Sequence, residues 1–354
     1  MAEVLRVGII GAGGYTGAEL VRLVHQHPKL KLVMVAAREK AGKRLGEVLR
    51  GVLGIAELSS MLLETFEPEQ AEELARRIDV VFLALPHATS ARAGKALFEA
   101  GVLVVDLSAD FRLRDAEVYR RTYGEHPAAE LLSAAVYGQP ELHREELKGA
   151  RLIAAPGCYV TSAILPLSPL LKAGLIDPGF IIVDSKSGVS GAGRSPGPAT
   201  HFAETAEGLR PYKIAGEHRH VPEIEQELTL AAGREIRVVF TPHLVPMSRG
   251  ILSIAYARAH AGVTPDACRA AAESLYAGGL VTVLPEGVLP DTLWVRGSAR
   301  AHVAYALDQR NGMLLAMCTL DNLARGASAQ AIQALNVSLG FPDATGLPEV
   351  AMFP

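Results

Sequence analysis

Cysteine is scarce in this chain, and long apolar runs are absent. The 354 residues include three cysteines, too few and too far apart for a disulfide framework, and no Cys-x-x-Cys pair suggests a metal site. No run of about 18 apolar residues occurs, so no membrane-spanning helix is predicted. The N-terminus enters a strand pattern without the basic and apolar regions of a signal peptide, and we therefore expect a cytoplasmic protein.

An excess of one charge is also lacking. The formal net charge of −3 gives no electrostatic footprint for nucleic acid or an anionic membrane surface. Hydrophobic residues make up 49% and charged residues 21%, a balance that excludes a disordered chain. The length exceeds what one hydrophobic core usually serves, so two domains are predicted. We expect small molecules and further copies of the chain as partners.

The first part of the chain alternates short β-branched runs with helical patterns. Strands are predicted in LRVGIIG, KLKLVMVAAR, DVVFLALP and VLVVDLSADF, and helices in TGAELVRLVHQHP and ATSARAGKALFEAG. This alternation is typical of βαβ units, and it predicts an α/β fold with a doubly wound, Rossmann-like parallel sheet.

The regular alternation ends after residue 158. Strands are predicted in FIIVDSKSG, IRVVFTPHLV and GILSIAYARAH, and this pattern predicts an α+β domain on a mostly antiparallel sheet. Near the C-terminus, DNLARGASAQAIQALN has apolar residues at helical spacing, with Asp321 or Asn322 available as the N-cap.

A glycine cluster lies between the first strand and the first helix, in VGIIGAGGYTGAEL. Gly11, Gly14 and Gly17 permit a tight turn, close approach of a pyrophosphate and helix-on-strand packing. Position 16 is threonine rather than glycine, and we expect Tyr15 and the Thr16 hydroxyl to join the cofactor-binding loop. A glycine pattern alone is weak, since it can be a simple tight loop, but its strand-loop-helix context favours dinucleotide binding.

The end of the second strand indicates which dinucleotide is bound. An NAD site uses a carboxylate there, whereas this strand ends VMVAAREK, with Ala36 and Ala37 followed by Arg38 and Lys40. Cationic side chains favour the 2′-phosphate of NADP, so we expect Arg38 to contact it. The alternative is a solvated surface cluster, which the nearby Glu39 supports.

One cysteine has an unusual setting, in APGCYVTSAIL. Cys318 and Cys268 fit small buried or helical residues, whereas Cys158 follows a sharp Pro-Gly turn and begins an apolar run. At a helix N-terminus the backbone N–H groups and the helix dipole favour the reactive thiolate. We therefore expect Cys158 to be a nucleophile that forms a thioester or thiohemiacetal beside a nicotinamide cofactor, at the start of a helix that Pro166 and Pro169 make short or kinked.

Two histidines offer a proton carrier, in AGEHRHVPEIEQE. His218 and His220 are two residues apart, and on an extended strand both would face the same way. Acid/base work and substrate anchoring, with Glu223 nearby, are favoured over a zinc site, because no third ligand has convincing spacing. A serine hydrolase is not indicated, since the G-x-S-x-G elbow is absent.

Several cations and a glycine-rich stretch suit an anionic substrate and cofactor. Arg112 follows a strand's carboxyl end, where open α/β sheets bind ligands, and Arg249 lies in PMSRGI. KSGVSGAGRSPG offers Lys186, Arg194 and a backbone able to form an anion-binding nest. The cofactor contacts expected there are Ser187, Gly188 and Gly191.

Taken together and in order, the motifs resemble a known family. GAGGYTGAEL, PGCY, KSGVSGAGR, EHRHVPE, TPHLVPMSRGI and DNLARGA are similar to the N-acetyl-γ-glutamyl-phosphate reductases, which belong with aspartate-semialdehyde dehydrogenases. The resemblance runs from residue 7 to about residue 336. It implies an NADP(H)-binding Rossmann domain at 1–157 plus 322–354 and a catalytic and oligomerisation domain at 158–321, in a dimer or tetramer.

The resemblance also implies an activity and residue roles. The activity is NADPH-dependent reduction of N-acetyl-γ-glutamyl phosphate to N-acetylglutamate 5-semialdehyde and phosphate, through a cysteine thioester, in arginine biosynthesis. Cys158 would be the nucleophile and His220 the acid/base, with Asn322 near the nicotinamide. The expected substrate contacts are Arg112 at the acyl phosphate, His218, Glu223, and Arg249 at a carboxylate.

The sequence departs from the family motif at one position near Cys158, and three alternative functions remain open. The family usually continues GCYPT, whereas this chain has Val160 in place of the proline. A reductase of N-acetyl-aminoadipyl phosphate or of a carrier-linked relative would differ only in its substrate pocket. Aspartate-semialdehyde dehydrogenase is disfavoured, because its cysteine is typically followed by an asparagine at a set spacing. A non-catalytic NADP-binding regulator would have an unreactive Cys158.

Overall fold

The computed structural model describes residues 4–195 and 197–352, which form two compact units. The first unit comprises the described residues up to Pro156 together with Ala327–Leu347. The second comprises Gly157–Gly326 together with the described residues from Pro348 onward. The predicted domain boundaries stay a prediction.

A seven-stranded sheet forms the centre of the first unit. Its strand order is β3-β2-β1-β4-β5-β7-β6, and every pair in it is parallel. The chain leaves β1 towards β2 on one side and returns to β4 on the other, so the strand order reverses at β1, as in doubly wound folds. The predicted α/β architecture is confirmed. The strands are β1 Leu5–Ile10, β2 Leu30–Ala36, β3 Leu63–Glu64, β4 Val80–Leu83, β5 Leu103–Asp106, β6 Val136–Tyr137 and β7 Leu152–Ala154.

The helices of the first unit connect these strands. Helix α1, predicted from the sequence, is amphipathic, because Leu20, Val21, Leu23 and Val24 are fully buried on one side. Short 3₁₀ turns lie at Arg38–Lys40, Arg50–Val52, Pro68–Gln70 and Ala129–Leu131. Numbered along the whole chain, the helices are α1 Tyr15–Gln26, α2 Leu45–Val48, α3 Ala56–Ser59, α4 Ala71–Ala75, α5 Thr89–Glu99, α6 Ala116–Tyr123, α7 Pro140–Leu147 and, near the C-terminus, α12 Ala329–Ser338.

Helix α12 begins later than the sequence predicts. The residues before it, Ala324–Ser328, form a π-helical segment, in which the Gly326 N–H bonds the Asp321 carbonyl. Every residue of α12 is buried, and its polar side chains bond other parts of the first unit. Among them, the Asn336 Oδ1 atom accepts a hydrogen bond from His27 Nε2 at 3.0 Å, because His27 Nδ1 already accepts the Lys29 N–H.

The second unit also contains a seven-stranded sheet, with mixed pairing. Its order is β12-β13-β14-β11-β8-β10-β9, and four of the six pairs are antiparallel, which confirms the mostly antiparallel prediction. The strands are β8 Ile176–Gly188, β9 Arg210–Pro211, β10 Val239–Val245, β11 Ile251–Ala259, β12 Val281–Val283, β13 Ala301–Asp308 and β14 Met313–Leu320. The helices are α8 Cys158–Lys172, α9 Phe202–Thr205, α10 Val221–Ala232 and α11 Pro265–Tyr276, with 3₁₀ turns at Val189–Ala192, Pro198–Thr200 and Thr292–Val295.

Helix α8 continues through both of its prolines for 15 residues, so of the predicted alternatives, short or kinked, the short helix is wrong. A proline at position 169 removes the hydrogen bond that the Leu165 carbonyl would otherwise accept. The Tyr276 hydroxyl donates to that carbonyl at 2.6 Å and replaces the missing partner. Tertiary packing therefore stabilises a helix that local sequence disfavours. No helix in the described ranges has the length and apolar character needed to cross a membrane.

The strand predicted at 102–111 ends at Asp106, because the Asp106 carboxylate bonds the residues that follow. Its Oδ1 accepts from the Ser108 N–H at 3.0 Å and from Ser90 Oγ at 2.5 Å, and its Oδ2 accepts from Ser108 Oγ at 2.6 Å. The side chain is fully buried. Burial, and next the charge of Asp110, raise the pKa of the Asp106 carboxyl to about 6.

This buried carboxyl predicts a pH-dependent stability. Because its pKa rises from 3.8 to about 6 on folding, the native state holds the extra proton, and that stabilisation is lost as pH rises through 6. The free energy of unfolding of the wild type, relative to Asp106→Asn, should fall by about 3 kcal/mol between about pH 3 and pH 7. Urea denaturation across this range measures it.

A carboxyl shifted in the other direction provides the control. Hydrogen bonds from Arg6 lower the pKa of Asp79, so the wild type should gain stability relative to Asp79→Asn as pH rises through the acid range. A difference between wild type and Asp106→Asn that stays constant with pH would contradict the account of Asp106.

Candidate active site

Cys158 is the first residue of helix α8, as the Pro-Gly turn before it predicts. Gly157 is the N-cap, and its carbonyl accepts the Thr161 N–H at 2.9 Å. The amides before Thr161 have no carbonyl partner within the helix, because the first turn of any helix lacks them. These amides and the helix dipole stabilise negative charge on the sulfur, which is partly exposed.

Two side chains from the start of helix α10 lie against Gly157. A Cβ atom at position 157 would be only 2.6 Å from His220 Nε2, so the imidazole packs directly on the backbone before Cys158. The Glu223 Oε1 atom accepts the Gly157 N–H at 2.9 Å, and this carboxylate is 1% exposed. The structure therefore brings Cys158, His220 and Glu223 together within the second unit.

Gly326 also packs against Cys158. A Cβ atom at Gly326 would lie 2.8 Å from the Cys158 Cβ atom, which is closer than side-chain carbons approach one another. The sequence analysis did not single out Gly326. A glycine in DNLARGA gives no sign of its partner, because 168 residues of chain separate it from the cysteine.

His218 and His220 lie in a turn, so the expectation of an extended strand is wrong. Helix α10 begins at Val221 with His220 as its N-cap residue, and Pro222 in its first turn favours the helix start, so the chain turns here instead of continuing as a strand. The two rings still come together, with centroids 4.8 Å apart. The turn is fixed by a bond from the His220 N–H to His218 Nδ1 at 3.1 Å.

His218 is a neutral imidazole with a defined tautomer. Burial, and next the charges of His220, Lys213 and Arg219, lower the pKa of His218 to about 3. Since Nδ1 accepts a backbone N–H, the ring proton is on Nε2. His218 can therefore donate one hydrogen bond at neutral pH, and it carries no charge.

Two tyrosines complete the surroundings of the histidines, and sequence reasoning missed them. Tyr159 donates from its hydroxyl to the His243 carbonyl at 3.0 Å and meets the His218 ring edge-on at 5.6 Å. Tyr212 donates to the Tyr159 hydroxyl at 3.2 Å. Burial raises the pKa of Tyr212 to about 12, so the phenol stays protonated. In a sequence, an aromatic residue such as Tyr159 or Tyr212 is usually predicted to be part of the hydrophobic core. The sequence therefore gives no sign that its hydroxyl forms hydrogen bonds.

In the first unit, Arg112 is held by backbone carbonyls. Its Nε donates to the Ala155 carbonyl at 2.7 Å and its Nη2 to the Leu107 carbonyl at 2.8 Å, and the residue is 8% exposed. The same loop is supported by Asp110, which accepts from the Ala88 and Ala91 N–H groups at 2.9 and 2.7 Å. The guanidinium is thus fixed in direction.

Arg249 forms a two-pronged ion pair with a buried carboxylate. Its Nε lies 2.8 Å from Asp321 Oδ2 and its Nη2 lies 3.0 Å from Asp321 Oδ1. Asp321 is fully buried, and Arg249 has 18% of its side chain exposed. Asp321 was expected only as a helix cap, and its pairing with Arg249 was not foreseen. The predicted contact of Arg249 with a substrate carboxylate stays a prediction.

The cofactor residues predicted in the second unit lie beside one another. Asn322 donates from Nδ2 to Ser190 Oγ at 2.9 Å and accepts the Gly250 N–H at 2.8 Å. A Cβ atom at Gly191 would lie 3.1 Å from Ser187 Oγ and 3.7 Å from Asn322 Nδ2. Gly188 is equally confined, since a Cβ atom there would be 2.9 Å from the Met247 carbonyl oxygen.

Lys186 and Arg194, from the same glycine-rich stretch, have other surroundings. Lys186 Nζ pairs with Asp184 Oδ2 at 2.7 Å, which neutralises its charge. Arg194 is exposed. Pro196, within this stretch, lies outside the described residues. The proposed anion nest therefore depends on Ser187, Gly188 and Gly191 more than on these cations.

The glycine loop of the first unit has the shape that a dinucleotide needs. Gly11 has φ +98°, and a Cβ atom there would be 2.2 Å from the Ala84 carbonyl oxygen, at the point where the strand order reverses. A Cβ atom at Gly17 would be 2.3 Å from the Gly11 oxygen, so helix α1 packs directly on the turn. Gly14 is the N-cap of α1, and Tyr15 and Thr16 begin the helix with Tyr15 41% exposed.

The two cations after β2 differ in their contacts. Lys40 Nζ donates to the Gly13 carbonyl at 3.2 Å and so belongs to the glycine loop. Arg38 has 83% of its side chain exposed and pairs weakly with Glu67 at 3.4 Å. Both lie at the carboxyl end of β2, where the adenosine ribose of a dinucleotide binds in this fold.

Across residues 4–195 and 197–352, no three side chains of His, Cys, Asp or Glu lie where they could share a metal ion.

Comparison with known families divides the chain in two. Residues 6–150 match the family model described as the semialdehyde dehydrogenase NAD binding domain. Residues 158–322 match the model described as the semialdehyde dehydrogenase dimerisation domain.

Solved structures agree with the fold. Aspartate semialdehyde dehydrogenase II from Vibrio cholerae, in complex with ASA, has a TM-score of 0.71 at 17% identity and covers 96% of this chain and 99% of its own. The Candida albicans aspartate semialdehyde dehydrogenase with NADP has a TM-score of 0.69 at 18% identity, covering 94% and 98%.

Curated relatives are similar over the whole length. N-acetyl-gamma-glutamyl-phosphate reductase from Magnetococcus marinus is 48% identical, and the match covers 100% of both chains. The enzymes of that name from Syntrophobacter fumaroxidans and Moorella thermoacetica are 49% and 46% identical, each over 99% of this chain and 100% of the relative. The resemblance predicted from the motifs is confirmed, and the chain belongs to the family of N-acetyl-gamma-glutamyl-phosphate reductases.

Proposed function

We propose that the protein catalyses the NADPH-dependent reduction of N-acetyl-γ-glutamyl phosphate to N-acetylglutamate 5-semialdehyde and phosphate, as a cytoplasmic enzyme of arginine biosynthesis. One observation carries the proposal: Cys158 starts a helix, and His220 packs on the residue before it. This is an arrangement for covalent catalysis with an adjacent acid/base. The whole-length identity to reductases of this name supports the substrate.

The residues present fit NADP(H). The tight turn at Gly11, which has no room for a side chain against Ala84, lies where the strand order reverses and where this fold binds dinucleotides. Arg38 and Lys40 suit a 2′-phosphate. Gly14, Tyr15, Thr16 and Gly17 would line the phosphates, and Ser187, Gly188, Gly191 and Asn322 would hold the nicotinamide end. When bound, NADPH supplies the hydride that reduces the acyl group.

We also propose that the two parts of the chain divide these tasks. Residues 1–157 plus 322–354 would form the cofactor domain and residues 158–321 the catalytic and oligomerisation domain. The two matched family models, one for NAD binding and one for dimerisation, support this division.

The chemistry begins at the Cys158 thiolate, which attacks the acyl carbon and forms a C–S bond. The bond between the acyl carbon and the bridging phosphate oxygen breaks, and phosphate leaves with the electron pair and takes up a proton. Arg112 would hold the phosphate, since its guanidinium is fixed by two backbone carbonyls and is matched to phosphate geometry. The product of this half-reaction is a thioester on Cys158.

His220 then transfers a proton to and from the substrate oxygen. Once the thioester carbon has been reduced, His220 protonates the oxygen of the thiohemiacetal as it forms, and it takes the proton back when the C–S bond breaks to release the aldehyde. The helix N-terminus stabilises the developing oxyanion. The neutral His218 would donate its Nε2 proton to a substrate oxygen, with Glu223 and Arg249 as further substrate contacts.

The assay runs most easily in reverse. N-acetylglutamate 5-semialdehyde, phosphate and NADP should give NADPH, followed by its absorbance, and the signal should require phosphate. Cys158→Ala should abolish it, because no thiohemiacetal can form. Cys268→Ala is the matched control and should keep full activity, since Cys268 is a core residue and burial raises the pKa of its thiol to about 11.

Substrate identity is tested in the same assay. The homologue that is one methylene longer and aspartate semialdehyde should both give a lower kcat/KM than N-acetylglutamate 5-semialdehyde. A phosphate-independent signal, or activity that survives Cys158→Ala, contradicts the mechanism. A preference for either other aldehyde overturns the proposed substrate. Cys158 that resists iodoacetamide in an inactive protein would instead indicate a non-catalytic NADP-binding role.

We further propose that two copies of the chain pair through the open face of the second unit's sheet, giving a dimer or a dimer of dimers. Ser253 Oγ bonds Ser162 Oγ of helix α8, so Ile254 and Tyr256 on the same strand point to the opposite face. Tyr256 pairs in register with Ile182 and Leu315 on the neighbouring strands. The side chains of these three residues and of Ile254 are only half-buried. Such a face is suited to an isologous contact, and this region matches the dimerisation model.

A charge placed on this face should separate the copies. Tyr256→Lys would force an unpaired ammonium into a buried interface, so the wild-type oligomer should become monomeric in sedimentation or light scattering. Leu230→Lys, at a position of helix α10 where the side chain is 49% exposed, should leave the oligomer intact. A monomeric wild type, or an unchanged oligomer in Tyr256→Lys, contradicts this interface.

A further inference from the structure

Asp321 is a buried carboxylate with more hydrogen bonds than a helix cap needs. It accepts from two nitrogens of Arg249 and from three backbone N–H groups. Those of Leu323 and Ala324 each lie 2.9 Å away, and that of Gly297 lies 2.6 Å away. The side chain has no solvent exposure, so the protein supplies all of its solvation.

These bonds tie together segments that carry predicted site residues. The loop after Arg249 is held a second time, because the Gly250 N–H bonds Asn322 Oδ1 at 2.8 Å. The Asp321 carbonyl accepts the Gly326 N–H at 2.8 Å, and Gly326 lies against Cys158. One residue therefore fixes Arg249, the start of the Asn322 turn and the segment that packs on the nucleophile.

The carboxylate is chemically necessary for the Arg249 contact in particular. A guanidinium fork matches a carboxylate with two parallel bonds, which sets its direction as well as its distance. An asparagine or serine at 321 would still accept the Leu323 and Ala324 amides, since both are good N-cap residues. Neither can offer Arg249 a charged, two-pronged partner.

We propose that Asp321 is a positioning residue that sets the direction of the Arg249 guanidinium, and through it the productive placement of the substrate. This inference rests on the proposed function. Asp321 touches no reacting atom in it. Its effect passes through Arg249, while the cap of the turn remains a separate structural contribution.

The test compares Asp321→Asn and Asp321→Ser with the wild type in the semialdehyde assay. Both variants keep the cap but lose the fork, so kcat/KM for the semialdehyde should fall about 100-fold, mostly through KM. The KM for NADP should stay near the wild-type value. The matched control is Asp308→Asn, because Asp308 forms a similar fork with Arg310 at the other end of the β13–β14 hairpin. That variant should keep wild-type kinetics.

A double-mutant comparison separates positioning from a structural role. In an Arg249→Lys background, Asp321→Asn should lower kcat/KM little further, because the fork is already lost. Equal losses in both backgrounds, or a lower melting temperature with unchanged kinetics, would overturn the proposal.

If both Asp321 variants fail to fold, Arg249→Lys alone decides, since an unchanged KM for the semialdehyde in that variant also overturns the proposal. A wild type without activity refutes the proposed function instead, so the two failures are distinguishable.

Discussion

The packing of His220 on Gly157 is the contact on which the candidate site depends. Gly157 has φ −69° and ψ 143°, a backbone conformation open to any residue, so glycine is required there by space alone. A Cβ atom would meet the imidazole at 2.6 Å. Glu223 holds the same residue through its N–H. The contacts at Gly157 thus link the start of helix α8, which carries Cys158, to the start of helix α10, which carries His220 and Glu223.

Buried carboxylates that accept backbone N–H groups, as Glu223 does from Gly157, occur at two further positions. Asp106, Glu223 and Asp321 are nearly or fully inaccessible, and each accepts at least one backbone N–H group in a loop that carries a predicted site residue. A buried charge is tolerated only where donors surround it, and those donors then lose their freedom to move. The loops gain rigidity that loops on a protein surface usually lack.

The sequence predicted what local patterns determine. Periodicity identified the strands β1, β2, β4, β5, β8, β10 and β11 and the helices α1, α5 and α12. The Pro-Gly turn placed Cys158 at a helix start, and ordered motifs identified the family. It could not predict features that depend on distant partners. The Tyr276 hydroxyl keeps helix α8 continuous past Pro169, the fork from Asp321 engages Arg249, and Gly326 closes on Cys158. In each case the partner is more than 60 residues away in sequence, and nothing near the residue marks it.

The central claim is that His220 transfers protons because Gly157 lets it pack beside Cys158, and Gly157→Ala tests it most directly. The added methyl must displace the imidazole while the backbone stays unstrained, so kcat should fall about 100-fold with the fold intact by circular dichroism. Gly208→Ala is the control, since the nearest atom to a Cβ there is 3.9 Å away, and it should keep the wild-type kcat. A Gly157→Ala enzyme with wild-type kcat would contradict the account.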